Sequence, residues 1–577
     1  MYHISRRPLT TLALFVVRTH HKRLASSREP HSFGEDFDPY NYTKGRWLRN
    51  DAIERKARFI QFDFDALCRR IIALCPGAHS ITSCEKIEGG SNRVFIFHTD
   101  NGERLVAKLP FSVAGPPRYT TGSEVATVEY CTLFYTIQDK KYGKILDWSD
   151  DASNTIGSEY IIMEHAPGVC LNLKWHDMTE VQRALCMKPI YQKMKEAANL
   201  AFPAYGSIYR TDTPYIKGST IPLDSDFCIG PSCDDLYWDC SPTSPKYYHD
   251  IKPNRGPWPN LSTFSSALTD VGLSRLPPAS TASSLRLPSY HGTISEHKVL
   301  LEYCRAIAKQ MIQTTLMQTV STPILFHPDL HSRNVFVSEE DPTVLTAILD
   351  WQSSAVQPAF WYADSTPDFA RKEEVEVVAK DDGQGEAGDR DQEQEQGQKQ
   401  KQKQPTHTPS STLRAETFDH LIHSHLPLTM LIPRTMDEAY LRPFTYGHRS
   451  WLHGATPFRE ELIQTSRRWG ELGFSTVGPC AYPMPSREEY AAHWEKYKEF
   501  EARHTMKTEM QRVLGVQSGG WVWADMYDVT NQAQKEWFEE AMEGAMGERG
   551  ERVWVSEEGE RLTEAEIRET WPFDLED

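Results

Sequence analysis

No run of this 577-residue chain is apolar and long enough to span a bilayer, there is no CxxC pair, and the paired-glycine turn at Glu88 to Arg93 lacks the full GxGxxG of protein kinases. The most apolar stretch near the start, Leu9 to Val17, is interrupted by hydroxyl residues. It falls short of the ~20 residues a spanning helix needs, so stable membrane insertion is not expected. The 11 cysteines are odd in number and scattered, which argues against a disulfide framework and for free thiols in a reducing compartment. Cys228, Cys233 and Cys240 lie close together, but their spacing matches no usual zinc pattern and they read as loop cysteines. A net charge of −17 disfavours a general nucleic-acid binder.

Acids are missing from residues 1–28, which carry Arg6, Arg7, Arg18, Lys22, Arg23 and Arg28 before the first carboxylate at Glu29. A basic, acid-free segment with an interrupted apolar stretch reads as a mitochondrial transit peptide, cleaved near Arg23 to Ser27. A mitochondrial location, in the matrix, is the expectation.

What is present sorts into segments, and no internal repeat is evident. The length suggests two to four domains or subdomains. A lead-in with an amphipathic helix over 63–74 precedes a strand-rich region from about Ile81 to Glu164. There, Val94 to Phe97 and Leu105 to Leu109 flank an Asp100-Asn101-Gly102 turn, a strong hairpin signal. A helical run begins near Gly122. After Pro167 the chain turns mostly helical, with long helices near 180–201 and 296–319 and an irregular stretch at 211–284. Residues 372–411 alternate Gln, Glu and Lys and are expected to be a disordered insertion, because they cannot bury enough apolar surface to offset their ordering entropy. The remainder is again helical, with a Ser486/Glu489 capping box opening a helix to about His504 and an acidic amphipathic tail from Trp521.

The chemistry concentrates in Leu325 to Val337 and Ala347 to Trp351. Asp329 stands five residues before Asn334 on a loop between apolar runs, and Asp350 closes a further apolar run. Phosphoryl transfer in a kinase-type fold needs this arrangement: a carboxylate to accept the proton of the attacking hydroxyl, then an amide oxygen and a second carboxylate for the metal. The bland alternative is a polar hairpin turn with a buried histidine. Upstream, Gly89-Gly90-Ser91-Asn92 offers backbone without a Cβ to phosphate oxygens, although paired glycines also mark ordinary hairpins. Lys108 on the following strand is a candidate phosphate-neutralising cation. Its expected ion-pair partner is Glu124, with Glu129 as the competitor; a carboxylate at a helix start is also explained by the helix dipole. Glu164, after a buried strand, is placed where backbone groups would read adenine, or equally is a surface carboxylate at a strand end.

These motifs resemble the aminoglycoside phosphotransferase-like kinases, a small-molecule branch of the protein-kinase-like fold, and in particular a mitochondrial subgroup. The resemblance is carried in order by Glu88 to Asn92, Val106-Ala107-Lys108, Ser123 to Thr127, Glu159 to His165, His327 to Asn334 and Ile348 to Gln352, with Pro443 to Gly447 and Phe458 to Leu462 later. It covers about residues 60–520 apart from the insertion. It implies an α+β bilobal fold: a small β-rich N-lobe over 29–165, a large mainly helical C-lobe over 166–371 and 412–577, and ATP between them. Asp329 is then the catalytic base, Asn334 and Asp350 hold Mg2+, and Lys108, supported by Glu124, holds the phosphates. Pro328 replaces the Arg of the protein-kinase HRD triplet and Asp350-Trp351-Gln352 replaces Asp-Phe-Gly, which argues against a protein substrate under activation-loop control. The expected activity is ATP- and Mg2+-dependent phosphorylation of a hydroxyl on a small molecule. The competing expectations are a catalytically silent nucleotide-binding scaffold and, further off, transfer to protein. No motif is specific for an acceptor.

Overall fold

The computed structural model describes residues 37–134, 144–243, 252–278, 287–362, 365–371, 409–546 and 563–575. The basic leader expected at 1–28 and the low-complexity stretch over 372–408 lie outside the described residues. Residues 409–411, assigned from composition to that insertion, open the helix Pro409–His425.

A three-residue strand, β1 (Gly45–Trp47), precedes the small lobe. The lobe is one antiparallel sheet of β2 (Ile81–Glu88), β3 (Asn92–Thr99), β4 (Arg104–Pro110), β5 (Ile145–Ser149) and β6 (Tyr160–Glu164), ordered β2-β3-β4-β6-β5. Period-two patterning decides its faces. On β3, Phe95 and Phe97 are fully buried and pack with Leu67 and Ile71 of the helix Phe64–Leu74. Asp63 caps that helix by accepting from the Ala66 N–H at 2.7 Å. The hairpin turn read at Asp100-Asn101-Gly102 joins β3 to β4, with Gly102 at φ 85°, a conformation costly for other residues. The helical run expected from Gly122 starts three residues earlier, as Tyr119–Phe134.

Among the described residues the large lobe holds two extensive apolar cores beside a small cluster of Tyr209, Ile216 and Cys228. One packs Met187, Ile190 and Met194 of the helix Glu180–Ala198 against Leu325, Val335, Val356 and Phe418. It supports the loops carrying Asp329 and Asp350. The other joins the helices Leu261–Ser274, Ile294–Met311 and Ala455–Arg467.

Several elements differ from the sequence expectation. The helix expected over 296–319 breaks after Met311, where the Thr314 hydroxyl accepts from the Met317 N–H and starts a new short helix, Thr315–Val320. The 211–284 stretch is not wholly irregular: a strand Phe227–Gly230 inside it pairs with Ser207–Arg210 and Ile221–Pro222, and a helix follows at Leu261–Ser274. That helix is rich in Ser and Thr, so its polar composition hides a buried helix. Gly272 lets it approach closely, since a Cβ there would stand 2.5 Å from Gly447 O. Cys228 is therefore a buried strand residue, not a loop cysteine.

The long helix expected to end near His504 runs 28 residues, Arg487–Leu514, and closes at Gly515 in the left-handed region. Beyond it the chain leaves the large lobe. Trp521–Trp523 pairs antiparallel with β1, placing Gly45 opposite Trp523, and the helices Tyr527–Met546 and Glu564–Thr570 contribute to an apolar cluster around Leu48. The acidic tail, which the sequence left without a docking place, clasps the lead-in of the N-lobe. Among the described residues no helix is long and apolar enough to cross a membrane.

Candidate functional site

The site lies where the small-lobe sheet meets the loops after Leu325 and Ile348. β4 presents Lys108, almost fully buried, toward the helix Tyr119–Phe134. Its Nζ donates to both Glu124 oxygens at 2.7 and 2.8 Å and to Asp350 Oδ1 at 2.6 Å. Burial opposes the ammonium charge, but Asp350 and Glu124 together overcome it and hold the lysine above its ordinary pKa. Glu129, the competing partner, is taken by Arg210 at 2.7 Å instead.

Asp350 reaches Lys108 from a backbone with φ 67°. Left-handed backbone costs a non-glycine residue about 1 kcal/mol or more, and Asp tolerates it better than most. His327 ties this loop to the other. Fully buried, its Nε2–H donates to Leu349 O at 2.9 Å while its Nδ1 accepts from the Asp329 N–H at 3.2 Å. Burial lowers its pKa, and the neutral ring with one donor and one acceptor links the residues before Asp350 to Asp329. Trp351 packs edge-on to it at 4.7 Å.

Asn334 Nδ2 donates to Asp329 O at 2.8 Å and to Asp329 Oδ2 at 3.1 Å. Its Oδ1 has no hydrogen-bond partner among the described residues. The other Asp329 oxygen is 2.9 Å from His331 Nε2, and the hydrogen bond from His331 is the main reason that the carboxyl lies below its ordinary pKa. His331 in turn is raised to about 9, first by Asp329 and then by Asp368. Asp368 also accepts from the Ser332 N–H at 2.8 Å and hydroxyl at 2.6 Å. His331 was visible in the motif without an assigned role, and Asp368 carried no spacing signal at all. Both orient Asp329.

The glycine turn is placed differently from its expectation in one respect. Gly89 and Gly90 form an exposed tip without left-handed backbone, and a Cβ on Gly90 would meet nothing within 4 Å. The glycines are thus not demanded by the turn itself. Ser91 O accepts from Phe111 N, which pins the tip to the residue after β4. Asn92 turns its amide away from the tip, donating to the Gln352 side chain, whose own amide donates to Ala114 O at 3.1 Å. It braces the turn to the Asp350 loop. Glu164 ends β6 with an exposed side chain, and its N–H is spent on Lys144 O at 3.0 Å. Behind the turn, Arg93 is fully buried and donates to Glu88 Oε1, Pro39 O, Tyr40 O and Arg58 O. The lead-in is thereby part of the turn's support.

A cavity of about 1110 Å³ lies elsewhere, between the helix Arg487–Leu514 and residues such as Trp361, Tyr446 and His448. The residues gathered around Lys108 and Asp329 do not line it.

Five antiparallel strands over a helical lobe, with the Lys108–Glu124–Asp350 cluster facing the Asp329 loop, define a protein-kinase-like fold of the kind found in aminoglycoside phosphotransferases. Among proteins of known sequence, the chain is 22% identical over 544 residues to altered inheritance of mitochondria protein 9, mitochondrial, of Yarrowia lipolytica, covering 86% of this chain and 87% of that one. The Saccharomyces cerevisiae protein of that name is 23% identical over 430 residues, 60% of this chain and 67% of its own. A subtelomeric hrmA-associated cluster protein of Aspergillus fumigatus is 29% identical over 309 residues, 48% of this chain, and the match spans only 58% of that relative's length. Among solved structures, ADP-bound aminoglycoside phosphotransferase APH(2'')-Ib aligns over 74% of this chain and 94% of its own at 10% identity and a TM-score of 0.30. An amicoumacin kinase bound to AMP-PNP and Ca2+ aligns over 73% and 96% at 11% identity and a TM-score of 0.28. No family model matches the chain.

Proposed function

We propose that the chain is an ATP- and Mg2+-dependent phosphotransferase acting on a hydroxyl of a small molecule in mitochondria. The observation that carries this is that His327 ties the loop of Asp350, whose carboxylate shares a buried lysine with Glu124, to an aspartate held by an asparagine and a histidine. The mitochondrial part rests on the acid-free basic start of the chain and on the names of the Yarrowia and Saccharomyces relatives.

The residues fit the metal–nucleotide group. Asn334 Oδ1 and Asp350 Oδ2 are oxygen donors without a partner among the described residues, and Mg2+ is typically held by one or two such ligands plus substrate phosphates. Held by Asn334 and Asp350, it would supply charge neutralisation to the nucleotide phosphates. Lys108, released in part from Asp350, would pair with the phosphates while Glu124 keeps its ammonium in place. Gly89, Gly90 and Ser91 would cover the phosphates with bare backbone, and Asn92 would hold that cover to the Asp350 loop. With the Glu164 N–H already bonded, any adenine contact there falls to its carbonyl. Asp329 would orient the acceptor hydroxyl and take its proton late in a loose transition state, which suits a carboxylate of lowered pKa. His331 and Asp368 hold it in place.

Calorimetric titration of ATP with and without Mg2+ tests the assignment. Mg2+-dependent binding should weaken at least about tenfold in Asp350→Ala, whereas Asp329→Ala should keep binding and lose ATP turnover by about a hundredfold or more. Turnover at the wild-type rate in both variants would show the site assignment to be wrong. A wild-type chain that binds no nucleotide would favour the scaffold alternative.

A further inference from the structure

Two strained residues mark the Asp350 loop. Asp350 at φ 67° and Ser353 at φ 57° both hold left-handed backbone without being glycine, a conformation that persists only where the surroundings over-determine it. Part of the restraint comes from the small lobe, where Lys108 takes Asp350 Oδ1 and Ala114 O accepts from the Gln352 amide. The rest comes from the strand Ser207–Arg210. Ser207 is fully buried, and its hydroxyl donates to Ser354 O at 3.1 Å while accepting from the Cys233 N–H at 3.0 Å. Beside it, Gly206 exchanges both main-chain hydrogen bonds with Val356, at 3.0 and 2.8 Å. The chain that leaves Ser353 is thus fixed to the start of this strand.

The other end of the strand holds the helix that carries Glu124. Arg210 Nη1 donates to Glu129 Oε2 at 2.7 Å, and Glu129 lies on the helix Tyr119–Phe134 beyond Glu124. At the start of that helix the Tyr119 ring packs edge-on to Tyr209 and Tyr215, with centroids at 6.3 and 5.0 Å, and stands 4.9 Å from Trp238. Just before Glu124, Gly122 lies so close to Tyr215 that a Cβ would strike its hydroxyl. The helix is therefore gripped on both sides of Glu124.

Lys108 bridges the two carboxylates, Glu124 and Asp350, and a single strand supports the elements that bring both. In a kinase-type site the lysine–glutamate pair and the metal-binding aspartate must both be in place, and a mobile helix makes that assembly a regulated step. Here the helix could swing only by unstacking Tyr119 and breaking the Arg210–Glu129 pair. We infer that Ser207 and Arg210 are positioning residues: through Ser354 and Glu129 they hold Asp350 and Glu124 about Lys108, so that the metal–nucleotide site stands assembled before its ligand arrives. This rests on the phosphotransfer reading above. Neither residue touches a reacting group. Ser207 acts on the metal side, through the Asp350 loop, and Arg210 acts on the lysine side, through the helix.

Calorimetric titration of ATP into the full chain, with and without Mg2+, separates the two roles. Ser207→Ala should weaken Mg2+-dependent binding at least about fivefold, the worth of one hydrogen bond, and leave Mg2+-free binding within about twofold. In an Asp350→Ala background the same substitution should add less than about twofold, because its effect runs through Asp350. Arg210→Glu sets two carboxylates against each other and should weaken binding at least about fivefold with or without Mg2+. Adding Glu129→Arg restores the pair with its charges exchanged and should return affinity to within about twofold of wild type. Arg210 and Glu129 are both partly exposed, so the charge exchange decides the matter if Ser207→Ala does not fold. A loss in Ser207→Ala that is absent, or equal with and without Mg2+, overturns the inference. So does an Arg210→Glu variant that binds like the wild type or is not rescued by Glu129→Arg. In those cases Mg2+-dependent binding by the wild type keeps the phosphotransfer reading standing. A wild type that binds no nucleotide removes that reading and the inference with it.

Discussion

Lys108→Met should destabilise the protein severely, and a second substitution should repair most of the damage. The lysine is 7% exposed and Glu124 5% exposed, with contacts of 2.7 and 2.8 Å between them. Removing the ammonium leaves Glu124 as a buried carboxylate with no counter-charge and with Asp350 nearby. Breaking one side of a buried pair costs about 3–5 kcal/mol, whereas replacing both partners by neutral groups of similar size is close to neutral. Lys108→Met/Glu124→Gln should therefore sit within about 1–2 kcal/mol of wild type. The pH dependence supplies a second check. Burial raises Glu124, so in the single variant its folded-state pKa lies above the unfolded value. Such a group favours the folded state at low pH and loses that contribution as pH rises through the folded pKa. The deficit of Lys108→Met should thus shrink from pH 8 toward pH 5, and that of the double variant should not. Urea unfolding followed by circular dichroism across this pH range reads both effects. Equal destabilisation of the single and double variants would refute the argument, as would a single-variant loss below about 1 kcal/mol.

His331 is raised to about 9 from an ordinary 6.5, so its contribution is complete below pH 6.5 and lost as pH rises through about 9. After allowing for a side chain 30% exposed, the stability gap between wild type and His331→Gln should close by about 1–2 kcal/mol over that interval in urea melts; a gap independent of pH counts against the Asp329–His331–Asp368 arrangement. Arg93→Met removes the guanidinium bonded to Glu88 and to three carbonyls of the lead-in, and should cost about 3–5 kcal/mol, seen as early release of residues 38–58 in limited proteolysis. Gly45→Val drives a side chain into Trp521, whose ring atoms stand 2.4 Å from the Cβ position. The expected cost is about 1–3 kcal/mol, with faster amide exchange confined to 45–47 and 521–523; unchanged exchange there would mean that the two strands do not pair in solution.

The chemistry-bearing residues were legible because their spacing is local. Asp329 and Asn334 share one loop, Asp350 follows its strand directly, and the Asp100-Asn101-Gly102 turn announces the β3–β4 hairpin. The choice between Glu124 and Glu129 was not local. Both lie on one helix, and only the position of Arg210, 81 residues further on, takes Glu129 out of contention. Asp368 is equally invisible, since nothing in its neighbourhood says that it will meet His331. Composition misled at Leu261–Ser274, where small polar residues read as loop but allow a helix to pack against Gly447.

From its sequence alone this chain determined a sheet-bearing lobe, a helical lobe and the residues that gather at the candidate site, because period, turn chemistry and motif spacing act over a few residues. Tertiary structure alone decided that the C-terminal strand returns more than 470 residues to pair with β1, that Asn92 braces the Asp350 loop, and that Asp368 meets His331. Those outcomes depend on which distant surfaces are buried together, and hydrogen bonds and charges separated by hundreds of residues leave no periodic trace in the order of the amino acids.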